Sequence, residues 1–352
     1  MRLHRHRDFR LLWLGQAGSS FGASVTSVAL PLTAVAVLGA GTFQVALLTA
    51  AAWLPWLLVG LPAGAWVDRL PRRPVMVTCD LVAAALFLSV PVAGWLGLLT
   101  VGHLLAVALA GGTVSVFFKT AYQVYLPPCW PGRTCRRGTR NYPYLRVLTV
   151  FGAVSNLGLI GYQSILVVFL VREVGIGPGA VGGLIALMSL GGVLGATAAT
   201  PLSRRLGSAR ALLFCEIGAA PFGLLVPLTA PGARLALPVV AGVAIGAGVV
   251  VGNVLKGGFR QAYVPHPLLG RVVVTMQVVN YGTIPLGAVL GGALGTALGL
   301  RPAMWVITSG LALTGLILLV GPLRGRRDLP ESYDAAAPPP PARSGLVSAA
   351  GR

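Results

Sequence analysis

Charge is what this sequence has least of. Only 10% of its 352 residues are charged, against roughly a quarter in an ordinary soluble domain. So few charges cannot cover a water-facing surface, which excludes a soluble globular chain. Acids are scarcest: eight Asp and Glu stand against 27 Lys and Arg, a formal net charge of +19. A balance that basic is common in nucleic-acid binders. Here, however, the arginines sit in short clusters between apolar runs, not along one face or on an RNA-reading module, so no nucleic-acid partner is expected. Cysteine is sparse as well. Cys79 and Cys215 lie in apolar runs, and Cys129 and Cys135 share a loop without zinc spacing or a nearby histidine. Free thiols follow, with no metal and no cofactor expected. Of the four histidines, His4 and His6 are terminal, His103 begins an apolar run and His266 lies in a loop, so no serine has a histidine partner at plausible depth. A phosphate-cradling G-x-x-x-x-G-K sequence is absent too. Neither enzyme chemistry nor direct drive by ATP is expected.

Long apolar runs are abundant. A membrane span needs ~20 largely apolar residues to cross ~30 Å of hydrocarbon. Ten runs meet that need: 11–38, 43–65, 75–95, 98–118, 147–170, 180–201, 211–230, 235–255, 272–298 and 302–322. The first follows a basic stretch, Met1 to Arg10, but is far longer than a signal-peptide core of ~7–15 residues, so it is expected to be an uncleaved span. With the N-terminus inside, the cytoplasmic segments carry arginine clusters around Arg5, Arg72, Arg136, Arg204 and Arg326, and also Lys256, Arg260 and Arg271. The outer loops hold only Arg172, Arg234 and Arg301. This is the positive-inside asymmetry, and it alternates correctly through all ten runs. The expectation is an all-α polytopic protein of the inner cell membrane with both termini cytoplasmic and the lipid bilayer as its first partner.

Glycines recur at helical spacing inside the runs, at Gly287, Gly291, Gly295 and Gly299, at Gly242 and Gly246, and at Gly248 and Gly252. Small residues four apart let helix backbones approach closely in lipid.

The loop after the second run reads Gly64-Ala65-Trp66-Val67-Asp68-Arg69-Leu70-Pro71-Arg72-Arg73. It resembles the G-x-x-x-D-R-x-G-R-R signature of the major facilitator superfamily, with Pro71 in place of a glycine. Asp68 would end a helix where a cation or a helix N-terminus can pair with it, and Arg72 and Arg73 would meet anionic headgroups. In that family Gly64, Asp68, Arg69, Arg72 and Arg73 would form a latch on one conformation. Arg204-Arg205-Leu206-Gly207 echoes the loop in the second half. Phe9-Arg10-Leu11-Leu12-Trp13, Phe43-Gln44-Val45, Ala121-Tyr122-Gln123-Val124-Tyr125-Leu126-Pro127, and a loop motif of Phe259-Arg260-Gln261 with Leu269-Gly270-Arg271-Val272 are similar to the proton-linked exporters of drugs, macrolides and siderophores.

The resemblance implies a major-facilitator-like bundle with about ten transmembrane helices instead of twelve. Residues 1–126 would be an incomplete first half of four spans, 127–146 a cytoplasmic linker, 147–322 a complete six-helix half, and 323–352 a disordered cytoplasmic tail. The two spans completing the first half, roughly 70 residues, are missing. The stretch from Pro127 to Arg140 matches nothing in the family. GC-rich codons can be chosen so that another frame reads Ala-Leu-Leu-Ala-Arg-Glu-Asp-Leu-Pro-Glu-Gly, as the family's loop usually runs, so a frameshift rejoined near Asn141 would account for it. Self-association could complete the short half.

Polar groups at bilayer depth are costly and usually functional. Glu216 and Asp80 are the acids inside runs and are candidates for proton coupling. Gln16, Ser20 and Ser24 fall on one face of the first run and are candidates to line a cavity, as are Asn156, Gln163, Asn253, Gln277 and Asn280 in later runs. The resemblance implies efflux of amphiphilic drugs or siderophore-like molecules against inward proton flow. The alternative is a shortened, transport-inactive remnant.

Overall fold

A chain surrounded by hydrocarbon must satisfy every backbone N–H and C=O within itself, and a helix does so locally. The computed structural model describes residues 22, 24–59, 72–123, 143–264, 266–320 and 327–329. Among the described residues there is no β-strand. The helices are α1 (Ser24–Ala36), α2 (Thr42–Leu58), α3 (Arg72–Trp95), α4 (Val101–Gln123) and α5 (Pro143–Val168), which continues through a π turn, Phe169–Glu173. Next come α6 (Pro178–Leu206) and α7 (Ser208–Ala219), which tightens into a 3-10 helix over Ala220–Leu228. Pro221 and Pro227 lie in that tightened stretch, where their missing N–H groups deny the α-helical bonding pattern. The set closes with α8 (Ala236–Tyr263), α9 (His266–Ala297) and α10 (Leu300–Val320).

Eight of these helices are long and apolar enough to cross a membrane; α1 and α2 are shorter apolar helices within the described residues. The ten follow the ten apolar runs in order. Several boundaries differ from expectation, three of them at charged or linker residues. α5 begins at Pro143, so the last residues assigned to the 127–146 linker are helical. α8 runs to Tyr263 and α9 starts at His266, so Lys256, Arg260 and Arg271 are helical residues and not members of a loop. Hydropathy counting stops at the first charge, whereas a helix continues when the charge turns inward.

The helices run alternately up and down, each packing beside particular neighbours. In order of adjacency the row is α6, α8, α7, α10, α5, α9, α2, α4 and α3. Glycine sets the closest approaches, as the fourfold spacing predicts. A Cβ at Gly287 or Gly291 would strike the backbone oxygen of Leu157 or Gly161 on α5, and one at Gly191 would strike Val243 on α8. Gly292 and Gly295 receive Ala46 and Thr42 of α2, the joint between the two groups of helices. Gly299 departs from its series: it lies beyond α9 with φ +90° and ends that helix.

The two ends of the bundle are held differently. At the end carrying Gly299, Arg172 donates to the carbonyls of Gly39 and Ala40 (2.9 and 2.6 Å), just past α1. Arg301 donates to Pro227, Thr229 and Glu173, each at 3.3 Å. Carbonyls past a helix end lack intrahelical partners, and guanidinium groups satisfy them. At the opposite end, Gly207 has φ +89° and leaves no room for a Cβ against Arg327. There the amides opening α7 are capped from the far end of the chain. Ser208 N–H donates to Asp328 Oδ1 (2.8 Å), and the Ala209 and Arg210 amides donate to the Arg327 carbonyl (3.1 and 3.4 Å). The Leu329 amide donates to Ser208 Oγ (2.8 Å), and its side chain is buried. These three residues depart from the disordered tail expected over 323–352, because they supply caps that α7 lacks locally.

Two apolar cores stack along the six-helix group. Leu145, Phe151, Leu212, Phe259 and Leu318 fill the Gly207 end. Ile165, Phe169, Val226, Met304 and Ile307 fill the Gly299 end. Between them lies a polar region.

Candidate functional site

Glu216 stands eight residues past the start of α7 and Lys256 seven before the end of α8, which places both roughly 10–12 Å inside their helices. Their side chains meet: Lys256 Nζ donates to Glu216 Oε1 at 2.7 Å, with the Glu216 side chain 9% and the Lys256 side chain 18% exposed. Gly252, one turn before Lys256, makes the approach possible, since a Cβ there would overlap the Glu216 carboxylate. Lys256 Nζ also lies 5.3 Å from the Phe151 ring centroid, within cation–π range. On the facing helices, Asn280 of α9 enters against Gly152 of α5, where a Cβ would collide with its Oδ1. Asn156 Nδ2 donates to the Asn280 carbonyl (3.2 Å), and Asn280 Nδ2 donates to that of Met276 (2.7 Å).

These groups wall a cavity of about 260 Å³ between α5, α7, α8 and α9. Its polar lining includes Ser155, Asn253, Arg260, Gln277 and Tyr281; Leu148, Phe151, Leu159, Val249 and Met276 form the apolar part. Tyr281 carries the cavity wall to α2, where Trp56 and Trp53 pack against its ring at 5.0 and 5.5 Å. Arg260 sits one turn beyond Lys256, and its Nε is buried without a hydrogen-bond partner. The site can hold charge and present both donors and acceptors. Among the described residues no group of His, Cys, Asp or Glu is arranged to hold a metal ion.

Of the candidates read from sequence, the structure brings Glu216, Asn156, Asn253, Asn280 and Arg260 into one cavity. Asp80 is exposed on α3, and Ser24, Gln163 and Gln261 are exposed on α1, α5 and α8; none lines the cavity. Gln16, Ser20, Gly64, Asp68 and Arg69 lie outside the described residues, as do the side chains of Arg72, Arg73 and Arg271 and the surroundings of Gly270. Gln277, also a candidate from sequence, lines the cavity as well, while Lys256 and Tyr281 were missed. A signal existed for Lys256: Asn253, Lys256 and Arg260 fall at i, i+3 and i+7, one stripe of a helix.

A solved structure of a bacterial homolog of the human lysosomal transporter Spinster, in an inward-facing and unoccupied conformation, matches with a TM-score of 0.58. The match covers 84% of this chain and 92% of that one at 14% sequence identity. At that identity the likeness is one of fold: the chain folds as this transporter structure does. Residues 3–134 match the profile of a family described as transmembrane secretion effector, a little over a third of the chain. No curated protein matches.

Proposed function

We propose that this chain is a secondary active transporter of the major-facilitator type. It would bind a small molecule in the cavity around Glu216 and Lys256 and expose it to each side of the membrane in turn. The observation that carries this reading is the ion pair itself. Charges removed from water inside an apolar bundle cost several kcal/mol each, and tight packing alone gives no reason to retain them. A carboxylate whose only salt-bridge partner among the described residues is Lys256 also suits proton coupling. Protonation of Glu216 would release Lys256, and deprotonation would recapture it.

The packing agrees with alternating access. Arg172 and Arg301 tie helix ends together at the Gly299 end, while the cavity lies nearer the Gly207 end. By position on their helices, Arg146, Arg204, Arg205 and Arg210 gather at the Gly207 end, where Arg327 also lies. By the positive-inside rule that end would be cytoplasmic, so in this conformation the cavity would exchange with the cytoplasm; efflux is the direction the sequence resemblance implies. The signature residues Asp68, Arg69, Arg72 and Arg73 would then latch this same side.

A second reading, a transport-inactive remnant, is favoured by one observation. Among the described residues, none of the most apolar stretch of α3 is buried and α3 packs chiefly on α4, as in a helical group short of partners. Proteoliposomes separate the two. With an imposed pH gradient, the transport reading expects gradient-driven movement of a fluorescent amphiphile that falls at least tenfold in Glu216→Gln. No movement at any pH, with the protein correctly inserted, would establish the remnant.

A further inference from the structure

We infer that the cavity binds an amphiphile carrying a single carboxylate-type anion, held between Lys256 and Arg260 in exchange for Glu216. The inference rests on reading this cavity as the transport site, and it adds the chemical class of the ligand.

The charges lining the cavity do not balance. Among the described residues that line it there are two cations, Lys256 and Arg260, and one acid, Glu216. Glu216 is committed to Lys256 at 2.7 Å. Arg260, on the next turn of the same stripe, keeps a buried Nε with no acceptor. A buried donor without a partner costs free energy, more so when charged, and that cost is recovered when an acceptor arrives. One net positive charge calls for one anion. A guanidinium offers parallel N–H donors in a fixed fork, which suits the two oxygens of a carboxylate.

The rest of the lining describes the remainder of the ligand. Leu148, Phe151, Leu159, Val249 and Met276 offer an apolar wall for a hydrocarbon or aromatic body. Asn156 and Asn280 spend their Nδ2 groups on backbone carbonyls, so Asn253 and Gln277 remain as uncommitted amide donors in the hydrogen bonds of the cavity. A cationic amphiphile fits poorly: the one acid is already paired, and the charge left over repels it. An entering anion also acts on Glu216. By taking Lys256 as its own counter-ion it frees the carboxylate, which places ligand binding and release of Glu216 in a single exchange.

Three probes of one shape test this on the purified full chain in a nonionic detergent: naphthaleneacetate, its neutral amide, and the cationic naphthylethylamine, each followed by its own fluorescence. The acid is expected to bind at least tenfold more tightly than the amide, with the amine weakest. Lys256→Gln and Arg260→Gln should each bring the acid's affinity to within about threefold of the amide's, while Glu216→Gln should strengthen binding of the acid. Retained binding of the amide shows that a variant has kept its cavity. Equal affinities for acid and amide in the unaltered protein would overturn the inference, as would an acid preference surviving in both Lys256→Gln and Arg260→Gln. Displacement of the acid by phosphatidylglycerol and not by phosphatidylcholine would assign the anion site to a lipid headgroup and overturn the solute. The transport reading fails separately. Selective binding of the acid with no movement across vesicles removes transport and leaves the site; movement of the amine, unchanged in Arg260→Gln, removes the site and leaves transport.

Discussion

A double-mutant cycle on Glu216 and Lys256 is the sharpest test of whether their contact is a true buried ion pair. Two unit charges at 2.7 Å attract by roughly 6 kcal/mol at an effective dielectric constant near 20. Desolvation of both groups offsets much of this, so the pair as a whole adds little net stability. Removing one partner is another matter, because the attraction goes while the other group's desolvation stays. Glu216→Gln and Lys256→Met are therefore each expected to lose about 3–5 kcal/mol. The double variant leaves no orphan charge and is expected to lose only about 1–2 kcal/mol, giving a coupling of about 4 kcal/mol or more. Gly252→Ala extends the cycle without changing any charge: its methyl group occupies the space of the Glu216 carboxylate, so it should behave like a single variant. Equilibrium unfolding of the detergent-solubilised chain, followed by circular dichroism, reads the unaltered chain and all four variants. Additivity of the two single losses to within about 0.5 kcal/mol would refute a buried pair.

Three further outcomes follow from the packing. Arg172→Gln removes the charged donor from Gly39 and Ala40, so a cysteine placed at Ala40 should react with a thiol reagent severalfold faster than in the otherwise unaltered chain; an unchanged rate would mean that Arg172 does not hold this end. Asp328→Ala removes the acceptor from the Ser208 amide, a capping loss of about 1 kcal/mol, and should speed tryptic cleavage after Arg204 and Arg205; an equal rate would show that the clasp at Arg327–Leu329 does not protect the turn. Gly191→Ala should lower the melting temperature by several degrees, because its methyl group meets the Val243 backbone. Gly183→Ala on the same helix meets nothing within 4 Å and should be neutral or stabilising, and equal effects would contradict the α6–α8 contact.

How much of the site could be read from the sequence depended on the range of the interaction. Glu216, Asn156, Asn253 and Asn280 stood out individually because a polar residue in an apolar run is conspicuous, and they do line one cavity. Lys256 did not stand out. It lies at the edge of its run, and a lysine there looks like the start of a loop. Only the length of α8, which continues to Tyr263, shows it to be internal. Asp80, Ser24 and Gln163 were equally conspicuous in sequence and lie elsewhere, because one-dimensional patterning tells depth along a helix but not which way a residue faces in the assembled bundle.

The sequence by itself determined ten helical segments, their order and their alternating directions. Hydrocarbon forces each segment to close its own hydrogen bonds, so these features are local. The fourfold glycine spacing likewise announced close contacts without naming the partners. Tertiary structure decided who meets whom. Lys256 finds Glu216 forty residues away, Asn156 finds Asn280 across 124, and Arg172 reaches back 133 to Gly39. Such pairings depend on which helices become neighbours, and that is fixed only when the packed faces of the whole bundle compete for one another.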